Sequence, residues 1–346
     1  HVLDWMGELL GLPQRFRSSG DGGGVIQDSA SGATLCALLA ARWRAAGEGP
    51  FDRLRAYTST EAHSSVEKAV RIAGLHPHQL RALEVGTDFA VDPTVLAEAM
   101  AVDREAGLVP FFVVANVATT SSTAIDPVAG FAAACAAEGA WLHVDAAHAG
   151  SALVCPELRW IVDGLERADS ICVNPHKWLF TNFDCDCFWV ADRSSLIGAL
   201  SVLPEYLRNA ASESGAVIDY RDWQVPLGRR FRSLKLWFVL RSYGAEGLRH
   251  HVREHIQLAQ RFAARVEADP RFELMAPHPL NLVCFRHVGG DDPTEALLTA
   301  VNATGQALLT PTRLADRYVI RVSIGAQPTR AEHVDALWAL LDERAG

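Results

Sequence analysis

A lysine and an aspartate stand at the ends of two apolar, strand-like runs. Lys177 follows one run and an Asn-Pro turn signal, in a chain with few lysines, and Asp145 ends an earlier run. Open α/β sheets bind ligands at the carboxyl ends of strands. There the lysine can form a Schiff base with pyridoxal phosphate (PLP), and the carboxylate can pair with the ring nitrogen. The alternatives are a solvated surface lysine and a helix-capping aspartate.

The composition is typical of a soluble globular enzyme. The 346 residues are 49% hydrophobic and 21% charged, with a net charge of −9. No Lys/Arg-rich run and no membrane-length apolar stretch occurs, so neither nucleic-acid binding nor a membrane span is expected. The seven cysteines are odd in number and mostly lie in apolar runs, without ordinary zinc spacing. We expect reduced core cysteines, no metal site and a cytoplasmic protein.

Helix and strand patterns alternate through the first two thirds of the chain, which favours an α/β fold with a mostly parallel sheet. The run Gly22-Gly23-Gly24 predicts a break in regular structure. Asp92-Pro93 and Asp126-Pro127 each predict a helix start, with the aspartate as N-cap and the proline at the first helical position. These helix starts alternate with the apolar runs that predict strands. Asp145 and Lys177 therefore lie where predicted strands end.

The pattern changes near Ser233, where a long helical stretch begins that glycines interrupt, at Gly244 among others. Short strands and helices follow, and Thr329 to Glu332 has the form of a capping box that opens the last helix. We therefore expect a large domain over residues 1–232 and a smaller C-terminal α+β domain over residues 233–346.

Two polar segments are further candidates for the site. Ser29, Ala30 and Ser31 precede a strong helix pattern, whose free backbone N–H groups and dipole would bind an anion; simple N-capping by a serine is the alternative. Tyr206 lies beside a polar, small-residue run that is typical of a mobile loop. The sequence is equally compatible with a tyrosine that only packs on the surface.

Seven motifs, in order along almost the whole chain, resemble those of the group II PLP-dependent amino-acid decarboxylases, most closely the aromatic-L-amino-acid decarboxylases. The resemblance implies the fold type I (aspartate-aminotransferase-like) architecture, with a mostly parallel central sheet. The motifs are Gly22–Gln27, Ser29–Ser31, Ala62–Ser65, His143–Ala147, Asn174–Trp178, Asn182–Cys185 and Pro226–Arg232.

The resemblance also implies roles for individual residues. His63 would lie over the cofactor ring and contact the substrate carboxylate, although a histidine at a helix start is often structural. Thr120 would lie near the ring substituents, and Asn174 and His176 would orient the cofactor. The predicted catalytic residues are Lys177, Tyr206, His63 and Asp145. The predicted cofactor-binding residues are Ser29, Ala30, Ser31, His63, Thr120, Asp145, Ala147, Asn174, His176, Lys177 and Gly228.

The predicted function is therefore decarboxylation of an aromatic L-amino acid to its amine and carbon dioxide. In the family a loop tyrosine at the position of Tyr206 protonates the substrate carbon, whereas relatives with phenylalanine there tend to be aldehyde synthases. The alternatives are a decarboxylase of glutamate, histidine or cysteine sulfinate, an aromatic aldehyde synthase, and a PLP-binding protein without turnover.

The sequence departs from the family pattern at two places. The family carries an additional N-terminal segment before the stretch that resembles His1 to Trp5, and the expectation is that this segment is absent here. His148 stands where tyrosine is usual. The family also forms homodimers with active sites at the interface, which we expect here.

Overall fold

The computed structural model describes residues 1–47, 50–202 and 218–345. The helices are α1 (Val2–Leu10), α2 (Ala30–Ala46), α3 (Ser65–Ile72), α4 (Pro93–Glu105), α5 (Val128–Glu138), α6 (Pro175–Trp178), α7 (Arg193–Leu200), α8 (Arg232–Ala268), α9 (Asp291–Ala303) and α10 (Ala331–Arg344). The strands are β1 (Gly23–Gln27), β2 (Leu54–Ser59), β3 (Leu80–Leu83), β4 (Val109–Asn116), β5 (Trp141–Asp145), β6 (Ser170–Val173), β7 (Asp186–Val190), β8 (Phe272–Leu274), β9 (Leu282–His287), β10 (Thr310–Leu314) and β11 (Arg317–Ser323).

Seven of the described strands form one sheet in the order β1-β7-β6-β5-β4-β2-β3. Strands β3, β2, β4, β5 and β6 pair in parallel, whereas β7 runs antiparallel to both of its neighbours, β6 and β1. The predicted α/β fold with a mostly parallel central sheet is confirmed. Because the strands are parallel, β4, β5 and β6 end at the same edge of the sheet.

The central strands are mostly apolar because helices cover both faces of the sheet. Strands β6 and β7 are buried at every residue, and β4 at all but its first. On one face α2 packs across several strands; its alanines, such as Ala33, Ala37 and Ala40, are fully buried and let the helix approach closely. This packing fixes where the N-terminus of α2 lies relative to the strand ends.

The prediction of a break at Gly22 to Gly24 was wrong for the last two glycines, which begin the edge strand β1. A Cβ at Gly22 would lie 2.0 Å from the carbonyl oxygen of Arg15, and one at Gly24 would lie 2.6 Å from the ring of Trp189. Glycine is present here because neighbouring atoms come too close for a side chain, which a sequence pattern cannot distinguish from a turn.

The four strands after residue 270 form a separate antiparallel sheet in the order β10-β11-β9-β8 within the described chain. The predicted interruption of the long helix is confirmed at Gly244, whose φ of 63° lies outside the helical range. The last helix begins differently from the prediction: Arg330 is its N-cap, and the ring of His333 accepts the Arg330 N–H. The domain boundary at residue 232 stays a prediction.

Two further expectations concern the chain as a whole. All seven cysteines are buried and free, as predicted. Among the helices of the described residues, none combines the length and apolarity needed to cross a membrane.

A buried carboxylate ties the outer strands to a covering helix. Asp103 on α4 is fully buried, accepts from the Tyr57 hydroxyl (2.6 Å) and pairs with the Arg81 guanidinium (2.6 Å). Burial first, and then the hydrogen bond to Asp103, raises the pKa of Tyr57, so its hydroxyl keeps its proton and remains the donor. The carboxylate therefore joins β2, β3 and α4 at one point.

We expect Asp103→Asn to lower the free energy of unfolding by about 2–4 kcal/mol, because it leaves the Arg81 charge and a buried polar network without their anion. Urea-induced unfolding measures the change. The matched control is Glu67→Gln, which breaks the exposed Arg71–Glu67 pair and should cost less than about 0.5 kcal/mol. Equal effects of the two substitutions would contradict the structural role of Asp103.

Candidate active site

A cavity of about 290 Å³ opens where β4, β5 and β6 end. The residues that line it come from the N-terminus of α2, the segment before α3, the loop after β4, the ends of β5 and β6, α6, and the C-terminal sheet. They are Ser29, Ala30, Ser31, His63, Ser65, Asn116, Ala118, Thr119, Thr120, Thr123, Asp145, Ala147, His148, Asn174, His176, Lys177, Leu282, Arg321 and Ser323.

Lys177 lies on α6, the single helical turn that follows β6. Asn174, the N-cap of this turn, accepts the Lys177 backbone N–H (2.9 Å), and the fully buried Trp178 anchors the turn by donating from Nε1 to His255 Nδ1 (3.0 Å). Among the described residues no carboxylate lies within ion-pair distance of Lys177. The turn is therefore fixed by packing while the lysine amine remains available to a ligand in the cavity.

Asp145 ends β5 on the cavity floor. Its Oδ1 accepts from the Ala147 N–H (3.0 Å) and from the Cys172 thiol (3.7 Å), whereas Oδ2 has no hydrogen bond within the described chain. The two interpretations of this residue are thus compatible, because one oxygen holds the local turn and the other is left for a cationic partner. A protonated ring nitrogen is such a partner.

The N-terminus of α2 lies at the cavity rim with free donors. Ser29, the N-cap, makes no side-chain cap; its hydroxyl donates instead to Asp28 Oδ1 (3.2 Å). The N–H groups of Ala30 and Ser31 have no acceptor among the described residues, whereas those of the next two residues bond the Ser29 carbonyl. A 17-residue helix that presents free N–H groups to a cavity fits a phosphate.

The histidines of the site are held in defined orientations. His63 Nδ1 accepts the Ser65 N–H (3.1 Å), which leaves its Nε2 as the donor when the ring is neutral. His176 Nδ1 lies 2.7 Å from the Cys185 carbonyl oxygen and 2.9 Å from the Cys185 backbone nitrogen, and burial lowers the pKa of this ring. Hydrogen bonds at Nδ1 therefore orient both rings at the cavity that Lys177 lines.

His148, the departure from the family pattern, forms part of the cavity wall. Its ring stacks on Trp178 with 5.2 Å between centroids, and Nε2 lies 2.9 Å from Asn281 Oδ1. Because Asn281 Nδ2 donates to the Ile324 carbonyl, its Oδ1 is the acceptor and His148 Nε2 the donor. Burial lowers the pKa of His148 to about 4, so the ring is neutral at physiological pH.

All but two of the predicted site residues line the cavity, including Thr120, Ala147 and Asn174. Gly228 does not line it; the adjacent Arg229 instead donates to the Ile26 carbonyl and to Gln27. Tyr206 lies outside the described residues, so its place stays a prediction. The assignment of catalytic and cofactor-binding roles also stays a prediction, because geometry alone does not test it.

Other lining residues were not predicted. Asn116 gave a signal that could have been used, a polar residue that ends an apolar strand. Leu282 and Ser323 gave none, because they reach the cavity from the C-terminal sheet. A larger groove of about 940 Å³ lies beside segments 123–129, 160–163 and 277–279, but its lining includes no lysine.

Three comparisons place the chain among known proteins. The family model described as the pyridoxal-dependent decarboxylase conserved domain matches residues 1–288. A phenylacetaldehyde synthase of Arabidopsis thaliana is 49% identical over 99% of this chain and 73% of its own, and an aromatic-L-amino-acid decarboxylase of Mus musculus is 45% identical over 99% and 74%. A crystal structure of Oryza sativa TDC with PLP and tryptamine has a TM-score of 0.96 at 43% identity, covering 99% and 74% of the two chains.

Lys177→Ala should abolish covalent attachment of PLP, seen as loss of the visible absorbance of the bound cofactor and of the label fixed by borohydride reduction. Turnover should fall by about two to four orders of magnitude, the usual contribution of a side chain that acts as a general acid or base at the reacting centre. The other two lysines of the chain, Lys68 and Lys235, provide matched alanine controls that keep the absorbance. A reduced label mapped to either control lysine would contradict the assignment.

Proposed function

The chain belongs to the pyridoxal-dependent decarboxylase family and is a PLP-dependent amino-acid decarboxylase, and on that premise we propose that it converts an aromatic L-amino acid to the corresponding amine and carbon dioxide. One observation carries the proposal. Lys177, the open oxygen of Asp145 and the free N-terminus of α2 face one cavity, so an aldehyde, a ring nitrogen and a phosphate each meet a suitable group.

Each of the three residues Asp145, Lys177 and His63 would have a different role in the reaction. Bound PLP supplies an electron-accepting ring for the electrons left when carbon dioxide departs. Asp145 would hold a proton on the ring nitrogen through Oδ2, and Lys177 would attach the cofactor and release it when a substrate amine enters. His63, with Nδ1 committed to Ser65, has Nε2–H left to donate to the substrate carboxylate.

The lining of the cavity suits an aromatic side chain. An acidic substrate such as glutamate or cysteine sulfinate needs a cation for its side chain, and Arg321 lines the described part of the cavity. Its Nη1 donates to Thr310 Oγ1 (3.0 Å) and its Nη2 to the Thr120 carbonyl (2.6 Å), whereas its buried Nε has no partner among the described residues. The apolar Leu282 and the stacked His148 ring suit an aromatic group better.

A second candidate function is that of an aromatic aldehyde synthase. The 49% identity to the phenylacetaldehyde synthase of Arabidopsis thaliana supports it. An aromatic-L-amino-acid decarboxylase is 45% identical to this chain, so overall identity does not separate the two activities. Tyr206 argues for simple decarboxylation, because the family resemblance assigns to this position the phenol that protonates the substrate carbon.

We include a cytoplasmic homodimer in the proposal. Leu227, Phe231 and Phe238 expose 66%, 75% and 58% of their surfaces close together in sequence, which is unusual for a surface that faces water. Sedimentation at working concentration tests the homodimer, and a monomer that binds PLP and turns over substrate would contradict it.

The test of the proposed function is release of carbon dioxide from carboxyl-labelled amino acids by the PLP-loaded protein. We expect release from one or more of tryptophan, tyrosine, dihydroxyphenylalanine and phenylalanine, with the amine as product. Histidine and glutamate in the same panel should give none. Release confined to these last two would overturn the aromatic assignment.

Tyr206→Phe should shift the product from amine to aldehyde, because the substrate carbon loses its proton donor and oxygen can react there. Amine formation should fall about 10²–10⁴-fold, the usual contribution of a general acid. Chromatography of the products and an oxygen electrode measure the shift. Tyr220→Phe is the matched control and should leave the product ratio unchanged; an unaltered ratio in Tyr206→Phe would favour another proton donor.

A further inference from the structure

Asp186, the first residue of β7, is a buried carboxyl that has no hydrogen-bond partner in the described part of the chain. It has no exposed surface, and neither of its oxygens has a hydrogen bond among the described residues. The contrast within this chain is Asp103, equally buried but bonded to Tyr57 and Arg81. Unpaired buried carboxylates are costly, so a group in this setting generally loses its charge rather than keep it.

The strand register places Asp186 beside the turn that carries Lys177. Val173 on β6 pairs with Cys187, so the next antiparallel position sets Asn174 opposite Asp186. Residues opposite each other in such a pair have Cβ atoms about 5 Å apart. Asn174 is the N-cap of α6, lines the cavity, and has a buried Oδ1 that also lacks a partner among the described residues.

The neighbour on the other side of Asp186 is already committed. Gln27, its partner on β1, donates from Nε2 to the Trp223 carbonyl (3.4 Å), and its Oε1 accepts from Arg229 (3.2 Å). The register therefore sets two acceptors side by side, the carboxyl of Asp186 and Oδ1 of Asn174, and neither has a donor among the described residues. A proton on one Asp186 oxygen supplies a donor for Asn174 Oδ1 and removes the buried charge, and the other oxygen stays a neutral acceptor.

Most of the charges that face Asp186 shift its pKa in the same direction as its burial does. Burial is the main cause that raises its pKa well above the usual range, and Cys185, Asp145 and Asp28 raise it further, whereas Lys177 lowers it. Of the other thiols nearby, Cys36, Cys172 and Cys187 also have raised pKa values, so they are neutral at physiological pH.

We propose that Asp186 remains a neutral carboxylic acid at physiological pH, donates its proton in a hydrogen bond to Asn174 Oδ1, and is a positioning residue for the turn that bears Lys177. Asp145 would then be the carboxylate that holds the ring nitrogen of bound PLP, with no second negative charge on Asp186. The proposal rests on the proposed function only in taking this cavity as the PLP site. The Asp186 proposal holds for any amino-acid substrate, and its tests use no amino acid. The Asp186 proposal and the proposed function can therefore fail separately.

Stability against pH is the first test. The pKa of Asp186 is raised in the folded protein and close to 3.8 in the unfolded chain. Above the unfolded value the unfolded state ionises while the folded state keeps its proton, so wild type loses stability as pH rises towards the folded value. Asp186→Asn removes this loss: its Tm should exceed that of wild type at pH 7, and the difference should vanish near pH 4. Asp103→Asn, the matched control, should lower the Tm at pH 7.

Infrared spectroscopy is the second test. The wild-type minus Asp186→Asn difference spectrum at pH 7 should contain the carbonyl stretch of a protonated carboxyl group. The rival arrangement is an ionised Asp186 that accepts from a rotated Asn174 amide. It predicts a carboxylate band instead, together with a lower Tm for Asp186→Asn at pH 7, and either result would overturn the proposal.

The positioning role needs a third measurement, the Kd for PLP in the absence of substrate. Asp186→Ala leaves Asn174 Oδ1 without a donor and should weaken PLP binding about tenfold, the worth of one hydrogen bond with its buried acceptor. Asp186→Asn, whose amide can still donate, should restore the affinity to near that of wild type. Wild-type affinity in Asp186→Ala, or failure of the asparagine to rescue, would refute the role. If Asp186→Ala does not fold, the first two tests still decide the protonation state.

Discussion

The parallel alignment of β4, β5 and β6 is the constraint on which the candidate active site depends. Parallel strands end at one edge, and each of these three delivers a polar residue there: Asn116, Asp145 and Asn174. The helix α2 crosses the same face with its N-terminus at that edge. An anion site, a carboxylate and a lysine therefore meet because of sheet topology, without any of them being close in sequence.

The same edge concentrates polar groups at the boundary of an apolar interior. Each group must find a partner or lose its charge, since water is excluded from the sheet faces. Asp145 divides its two oxygens between the Ala147 turn and the cavity, and His148 becomes a neutral donor to Asn281. The site is thus pre-organised by hydrogen bonds that also hold the sheet edge and the C-terminal strands in place.

The sequence placed residues correctly in the cavity where a local signal marks them. Lys177 and Asp145 each follow an apolar run, and Ser29 precedes a strong helix, so the strand-end and helix-start rules located them. The glycines that begin β1 were misread because turns and close packing both select glycine. Leu282 and Asp186 gave no signal, since one enters from the distant sheet and the other has the appearance of an ordinary polar residue before a strand.

By itself the sequence determined the α/β class and the mostly parallel sheet, and it marked the lysine, the aspartate and the helix N-terminus as candidates, because hydrophobic periodicity and capping are local properties of the chain. Only the tertiary structure decided which groups share a cavity and which of them keep a charge. The commitment of Arg321 to Thr120 and the isolation of Asp186 are consequences of burial and strand register. Both depend on contacts between segments that are far apart in the chain.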